Sequence, residues 1–498
     1  MAGKRGTAGK LLWALIAVLF KLACIGLMIG LPILGVWVAS SLAVFFNRDV
    51  TWAIAAGLLM FPVLPLAWDA FAQWRRQRKR KTEPRLLNGL DRMILRTVLL
   101  NALFIGGLLA TNPQTGFTAL SARGDWMLAG KTGPRVDQIR RRLFQTADTL
   151  EWLYKLSKDN PYKKYDRDGE QTPTPKPTPK PTPRPTPEPT TPDRPDSNTR
   201  PTDPPAVPEN AWPQPPAIDP LVSQFPPQEE KSPQWVGRYI AGRIADPMER
   251  ARAIHDYVAD RVAYDVAALR AGNYPPQDAQ TVFRTGKGVC AGYATLFEAI
   301  SQAAGLEAKY VVGDVRSEDG DIDGVGHAWS AVKIEERWYL VDVTWDSGFV
   351  NGDRFTKQLR TVYFLTPPEV FSADHFPEDA AWQLRERPLS RGEFIRQPMM
   401  QPSFYAEGLK LRSPDRSQVS VADRVNIELE NPRSLFLMAH YAPRGGSEDR
   451  ECTVSSARTG VTCGFPAAGS FDVKLYLSHQ QYGRYLYVGK VMVNASGG

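Results

Sequence analysis

Four cysteines in 498 residues are too few to hold a disulfide scaffold together. No C-x-x-C and no H-x-x-x-H pair occurs. The close ligand spacing of a zinc site is therefore missing, and no metal or cofactor is expected. Neither sign of charge dominates: 61 Lys and Arg stand against 53 Asp and Glu, a net charge of +8. The excess is gathered in short runs, so nucleic acid is not an expected partner. What the chain does have is apolar length at one end and proline in the middle, and its size suits two or three domains.

Residues 11–46 are nearly all apolar, with Lys21 the one charge. A second apolar run covers 52–72, and a third runs from about Met93 to Ala110. All are long enough, at the ~20 residues that cross a bilayer, and the first is longer than needed. Residues 1–110 read as a membrane anchor with about three transmembrane helices. A cleaved signal peptide is disfavoured, because the first run is too long and two more come after it. Leu22-Ala23-Cys24 resembles a lipoprotein box, but Lys21 stands where an aliphatic residue is wanted. Cys24 therefore reads as packed or lipid-facing. Lys4, Arg5 and Lys10 precede the first run, and the basic run Arg75 to Lys81 succeeds the second. Basic loops stay cytoplasmic, so the third helix exports the chain beyond Thr111. The expected localisation is a multi-pass plasma-membrane protein with its other domains outside the cytoplasm.

Residues 111–171 read as an extracytoplasmic helical stalk. Within it, Val136, Ile139, Leu143, Phe144, Leu150, Trp152, Leu153 and Leu156 space as one face of an amphipathic helix over 134–158. From Thr172 the chain repeats Thr-Pro-x-Pro, and proline stays frequent to about Pro227. Such sequence cannot build a core and favours extended polyproline II. The reading is a disordered linker over 172–231, its 172–220 part reaching on the order of 150 Å at ~3.1 Å per residue. That length suits a spacer holding a domain away from the membrane. Recognition by an SH3-type domain is the sharper alternative, and an outward-facing position weighs against it.

Chemistry is concentrated after the linker. Gly288-Val289-Cys290-Ala291-Gly292 runs into Tyr293, Leu296, Phe297 and Ile300, an apolar pattern of helical spacing. Cys290 thus falls at a helix N-terminus, where the dipole and unpaired N–H groups favour a thiolate. The glycines allow tight turns and close approach of a substrate. Farther on, Gly326 to Ile334 and Trp338 to Asp346 are rich in aromatic and β-branched residues and read as a hairpin. A two-residue turn at Glu335-Glu336 pairs His327 with Thr344 and Trp329 with Asp342. His327 and Asp342 then share one face as diagonal neighbours. A three-residue turn would separate them. In the favoured register the parts are a thiol nucleophile, a base and an orienting carboxylate. The Cys290 N–H is one oxyanion donor.

The motifs GVCAGYATLF, GHAWSAVKI and WYLVDVTWDSG resemble the transglutaminase-like superfamily. Within it they look like the branch of kyphoscoliosis peptidase and a fungal cytokinesis protein. Tyr363 to Pro368, His375-Phe376-Pro377 and Trp382-Gln383-Leu384 resemble that branch too. The likeness runs from about Asp246 to Arg396. It implies an α+β papain-like or transglutaminase-like catalytic domain over 232–400, with a triad of Cys290, His327 and Asp342. Some members of the superfamily lack the cysteine and serve as scaffolds, so the fold alone does not establish chemistry. The resemblance also places Tyr264 where an aromatic often stands near the nucleophile, although core packing is the favoured reading for it. His255 and His375 are expected to be structural, neither aimed at Cys290. The loop Asp319-Gly320-Asp321-Ile322-Asp323-Gly324 mimics the start of a calcium loop. Its twelfth position is Ser330, where a bidentate Glu is needed.

From about Ser403 short alternating runs separated by turn residues suggest an immunoglobulin-like β-sandwich over 401–498. Cys452 and Cys463 flank a hairpin there and are placed to pair, as an exported domain allows. The function expected from these parts is a membrane-anchored thiol peptidase or acyltransferase acting on protein or peptide amides. Cell-envelope proteins are the expected partners. The alternative is a non-catalytic surface scaffold in envelope organisation or division.

Overall fold

The protein is described here from a computed structural model, which covers residues 7–46, 50–79, 88–128, 131, 133–155, 160–166, 212–318, 320–446 and 448–497. The proline-rich 172–211 stretch, Asp319 and the side chain of Cys24 lie outside the described residues.

The apolar N-terminal runs form helices α1 (Thr7–Phe45), α2 (Val50–Leu58), α3 (Leu64–Arg78) and α4 (Gly89–Thr111). A kinked stretch joins α2 to α3: Phe61, before Pro62, leaves the helical region at φ −157° and ψ 123°, as the residue before a proline tends to do. Three spans, Ile25–Phe45, Thr51–Arg78 and Gly89–Thr111, are long and apolar enough to cross a membrane. They are tied by small and polar residues, as helices in lipid commonly are. A Cβ on Gly35 would meet the Asn101 carboxamide at 1.9 Å. Asp69 on α3 pairs with Arg92 and Arg96 on α4.

Where a single helix over 134–158 and a projecting stalk were expected, three helices fold back. They are α5 (Pro113–Arg123), α6 (Pro134–Asp148) and α7 (Glu151–Lys155). Phe117 and Tyr154 share a core cluster with Ile322, Ile395 and Met492, all distant in sequence. Arg123 reaches Ser420, and Asp125 pairs with Arg416 at 3.1 Å. The Asn494 carboxamide donates to Val44 O at the end of α1, at 3.4 Å. The later domains therefore rest against the helical region and are not held at a distance from it. Of the apolar residues that looked like one amphipathic stripe, Phe144 and Leu150 pack inward while Ile139 and Trp152 are exposed.

The central domain layers helices over a sheet. Its long helices are α8 (Pro233–Ala241), α9 (Pro247–Arg261) and α10 (Cys290–Ala303). Asp246 caps α9, its Oδ1 accepting from the N–H groups of Met248 and Glu249 at 2.8 Å, with Pro247 in the first turn. The strands are β1 (Glu307–Val315), β2 (Val325–Ile334), β3 (Arg337–Val341), β4 (Phe364–Thr366) and β5 (His375–Pro377). They form one antiparallel sheet in the order β4-β3-β2-β1-β5. Val236, Ile240, Ile254, Phe297, Ile300 and Val332 are buried together between the layers.

The expected linker end at 231 is corrected. Trp212 Nε1 donates to Val362 O at 3.0 Å, and Asp219 N donates to Asp256 Oδ2 at 2.9 Å. Val222 and Phe225 lie in the central core. Proline content hid these anchors, because it reads as linker whether or not an interleaved Trp, Val or Phe is buried.

The C-terminal domain is all β. Its strands are β6 (Met399–Met400), β7 (Lys410–Ser413), β8 (Gln418–Val421), β9 (Arg424–Glu430), β10 (Phe436–Pro443), β11 (Arg450–Glu451), β12 (Thr453–Val454), β13 (Gly460–Gly464), β14 (Gly469–Ser478) and β15 (Leu486–Ala495). One sheet runs β7-β9-β13-β12. The other runs β6-β15-β14-β10-β11, with β8 also on β15. Val425, Ile427 and Leu429 on β9 alternate inward against a core with Val473 and Val491, the period of a half-buried strand. A disulfide joins Cys452 to Cys463. Met399-Met400 belongs to this sheet, so the junction precedes residue 401.

Helices α8 and α10 meet closely at Gly237. A Cβ there would lie 2.4 Å from Ile300 O and 2.7 Å from Ala303 Cβ. Gly237→Val should push α8 from α10 and cost roughly 1–3 kcal/mol or more, the usual range for overpacking. A thermal unfolding midpoint equal to the parent's would show that the helices do not pack this closely.

Candidate active site

Val289 is extended (φ −88°, ψ −176°) and starts α10, so Cys290 is its first residue, 1% exposed. The loop before it is pinned by Gln277, a residue that no sequence motif singles out. Val289 N donates to Gln277 Oε1 at 2.9 Å, and Thr295 Oγ1 donates to Gln277 O at 2.5 Å. A Cβ on Gly292 would meet Gln277 Oε1 at 2.6 Å and Val282 at 2.8 Å. Gly292 thus makes room for Gln277; the expectation of room for a substrate is corrected at this position. Nothing in the local pattern marks a lone Gln twelve residues upstream.

The β2–β3 hairpin turns at Glu335 (φ 49°) and Glu336 (φ 63°), the positive-φ pair of a tight two-residue turn. Ile334 pairs with Arg337 and Ser330 with Val341, which is the register that sets His327 and Asp342 as diagonal neighbours. The second strand is shorter than expected. It ends at Val341, and Val343–Ser347 forms a short helix, α11. The physical reason is Asp342 itself: its Oδ1 accepts from Thr344 N at 2.9 Å and Trp345 N at 3.3 Å, an N-cap that turns the chain out of the strand.

The other oxygen meets the imidazole. His327 Nε2 lies 2.8 Å from Asp342 Oδ2, both residues buried. That leaves Nδ1 for the thiol. Burial opposes charge on the ring, yet Asp342, then Cys290, hold its pKa up at about 10. For Asp342, burial alone would raise the carboxyl; His327 and His375 instead hold it well below the usual carboxylate range. A buried Cys, an imidazole inclined to stay protonated and an ionised carboxylate thus stand in sequence.

His375, expected to be structural and not aimed at Cys290, faces the Asp342 carboxylate: Nε2 is 3.1 Å from Asp342 Oδ2 and Nδ1 is 2.6 Å from Asp374 Oδ1. Burial works against its charge, and Asp374 followed by Asp342 raises its pKa. The motif Asp374-His375-Phe376-Pro377 is visible in the sequence, but a three-residue edge strand gives no periodicity from which to aim a side chain. His255 is a satisfied core histidine, 2.9 Å from Asp256 Oδ1 and 3.1 Å from Asp346 Oδ2. Tyr264 is half-buried and packs against the cluster that contains Cys290. Burial, then the charge of Cys290, raises its pKa.

The Nε2 atoms of His327 and His375 and a carboxylate oxygen of Asp342 lie within 4.8 Å of one another, donors that could hold a metal ion. Both ring nitrogens already lie at hydrogen-bond distance from that one oxygen, so an ion would displace both contacts. At the acidic loop, Lys490 Nζ donates to the carbonyls of Glu318 at 2.7 Å and Gly320 at 2.8 Å. The Lys490 ammonium thus sits against the described part of that loop.

Comparison with known proteins points the same way as the motifs. Residues 235–343 match the family model of the transglutaminase-like superfamily. Human kyphoscoliosis peptidase is 34% identical over 202 residues, covering 38% of this chain and 30% of that protein. Cytokinesis protein 3 of Schizosaccharomyces pombe is 24% identical over 222 residues, covering 43% of this chain and 25% of that one. A solved TGase structure aligns at 25% identity over 28% of this chain and 35% of its own, with a TM-score of 0.21. The match spans about a third or less of the curated relatives' length. The chain therefore carries, over residues 235–343, a domain of the transglutaminase-like superfamily, in the branch of kyphoscoliosis peptidase and cytokinesis protein 3.

Proposed function

We propose that the protein is a membrane-anchored thiol hydrolase or acyltransferase acting on amides of proteins or peptides, with Cys290, His327 and Asp342 as its catalytic triad. The observation that carries this is the His327 ring, held by Asp342 at 2.8 Å on one edge and interacting with Cys290 on the other. Cys290 attacks the acyl carbon as a thiolate. The Cys290 N–H, in the first turn of α10 where no earlier carbonyl pairs with it, steadies the oxyanion. The imidazolium then gives its proton to the leaving amine, and the thioester passes to water or to a second amine. Hydrolysis is preferred, because no amine-acceptor motif is legible. The likeness to a relative named as a peptidase, kyphoscoliosis peptidase, supports it.

In this reading the C-terminal sheets are an immunoglobulin-like sandwich, and the central and C-terminal domains face outside the cytoplasm among cell-envelope proteins. The basic run after Trp74 supports that orientation. A scaffold in envelope organisation is the second reading, favoured by the cytokinesis protein among the relatives.

The triad reading is tested with iodoacetamide at pH 6. Cys290 should label faster in the parent than in His327→Ala by roughly ten- to a hundredfold, because the ring is the thiolate's ion partner. Asp342→Asn should slow turnover more than labelling. Equal labelling of parent and His327→Ala would leave the scaffold reading standing.

The raised pKa of His327 gives a stability signature. The folded ring titrates near 10 and the unfolded ring near 6.5. Its contribution is therefore fully present below about 6.5 and lost as pH rises through about 10. His327→Gln should lose the most stability relative to the parent near pH 6 and the least near pH 10, read by denaturant unfolding. A pH-independent difference would contradict a charged ring.

Orientation is tested by a reporter fused after Thr111, which should be active only outside the cytoplasm. A cytoplasmic signal would reverse the topology and the localisation.

A further inference from the structure

Cys290 and His327 are 1% and 5% exposed, so something covers them that a substrate must replace. Part of that cover is Asn160–Asp166, a piece of chain from before the proline-rich stretch. The ring of Tyr162, 3% exposed, packs in one cluster with Cys290, Val289, Ala291 and Tyr310. Burial, then the charge of Cys290, raises its pKa, so the phenol stays neutral beside the thiol.

The segment is held as a bound peptide would be. Tyr310 OH donates to Tyr162 O at 3.0 Å. Asn160 Nδ2 donates to Gly313 O at 2.7 Å, and Asn160 Oδ1 accepts from Tyr162 N at 3.0 Å. Gly313 is the β1 partner of His327, and a Cβ on Gly326 would already touch the Asn160 carboxamide at 3.2 Å. The segment therefore lies against the nucleophile and beside the strands that carry the base. The walls are apolar near Cys290 and phenolic at the far end, where Tyr162 OH meets Tyr274 OH at 3.4 Å. That polarity suits a flat ring with a polar tip.

We propose that this pocket is the subsite for an aromatic side chain of the substrate polypeptide, occupied in this structure by Tyr162 of the same chain. The inference rests on the thiol-enzyme reading above. The protein is then self-blocked, and a substrate enters when the 160–166 segment leaves.

The test uses the full-length protein in detergent and reads Cys290 alkylation at pH 9 and pH 6. At pH 9 any exposed thiol reacts, whether or not His327 activates it, so this arm reads access alone. Tyr162→Ala should raise the pH 9 rate roughly tenfold or more, as removal of a local cover does. Tyr162→Phe, which keeps the ring, should stay near the parent. Asn160→Ala, which removes the anchor and keeps the ring, should fall between them. In Tyr162→Ala, an acetylated Asn-Pro-Tyr-Lys amide should protect Cys290, and the same peptide with Ala for Tyr should not. A parent that already labels at the Tyr162→Ala rate would overturn the blocked site. Equal protection by the two peptides would overturn the aromatic subsite. With Tyr162→Ala unfolding at the parent's thermal midpoint, absence of protection by either peptide would overturn it too. Failure of the underlying enzyme reading looks different: unblocking at pH 9 would persist, while adding His327→Ala to Tyr162→Ala would leave the pH 6 rate unchanged.

Discussion

The Asp342 carboxylate is the group on which the site depends. It is fully buried, and taking a bare carboxylate out of water costs several kcal/mol. Four donors offset that cost: the N–H groups of Thr344 and Trp345 on one oxygen, and the rings of His327 and His375 on the other. Each donor is also a structural instruction. The two N–H groups end β3 and begin α11. The two rings fix β2 and β5 to the same point. One ionised side chain therefore sets where a strand stops, where a helix starts and how an imidazole is turned.

The carboxylate belongs to a closed circuit. Asp342 N donates to Tyr363 O at 2.9 Å, and Tyr363 OH donates to Asp374 Oδ2 at 2.8 Å. Asp374 meets His375, and His375 returns to Asp342. One turn along α11, Asp346 accepts from Tyr363 N at 3.1 and 3.0 Å, and His255 on α9 lies 3.1 Å from it. Two carboxylates four residues apart, one capping the short helix and one within it, thus hold three histidines, two in the site and one in the helical layer. A network this fully satisfied is rigid, and rigidity is what orientation of His327 requires.

Much of this is legible in the sequence where one local pattern decides the outcome. Helical spacing after Gly288 puts Cys290 at a helix start. The Glu335-Glu336 turn sets a register that allows one carboxylate to reach one ring. Alternation outlines the C-terminal strands, and apolar length outlines the three spans. What escapes has no local period. His375 lies in a three-residue edge strand, and Gln277 acts through single hydrogen bonds. Trp212, Val222 and Phe225 are isolated apolar residues inside a proline-rich composition. Tyr162 reaches the site from across that composition. Asp342 reads as the middle of a strand because Val343 and Trp345 favour β structure; the cap it forms overrides that preference.

Access and electrostatics make opposite demands on such a site. His327 holds its proton near pH 10 because Asp342 and Cys290 act on it where little water intervenes. The aromatic cover that includes Tyr162 and Tyr264 helps keep water out. Simply opening the site would hydrate the ring and weaken the pairing that, in the proposed enzyme, activates the thiol. A substrate that brings its own apolar surface into the vacated space avoids this, because it replaces one dry cover with another. The same consideration makes a polar or very small side chain a poor entrant. It would fit the space sterically, but it would leave water beside the ion pair. In the proposed enzyme, selectivity for an aromatic residue and activation of the thiol would come from one requirement, the exclusion of water from the space beside Cys290.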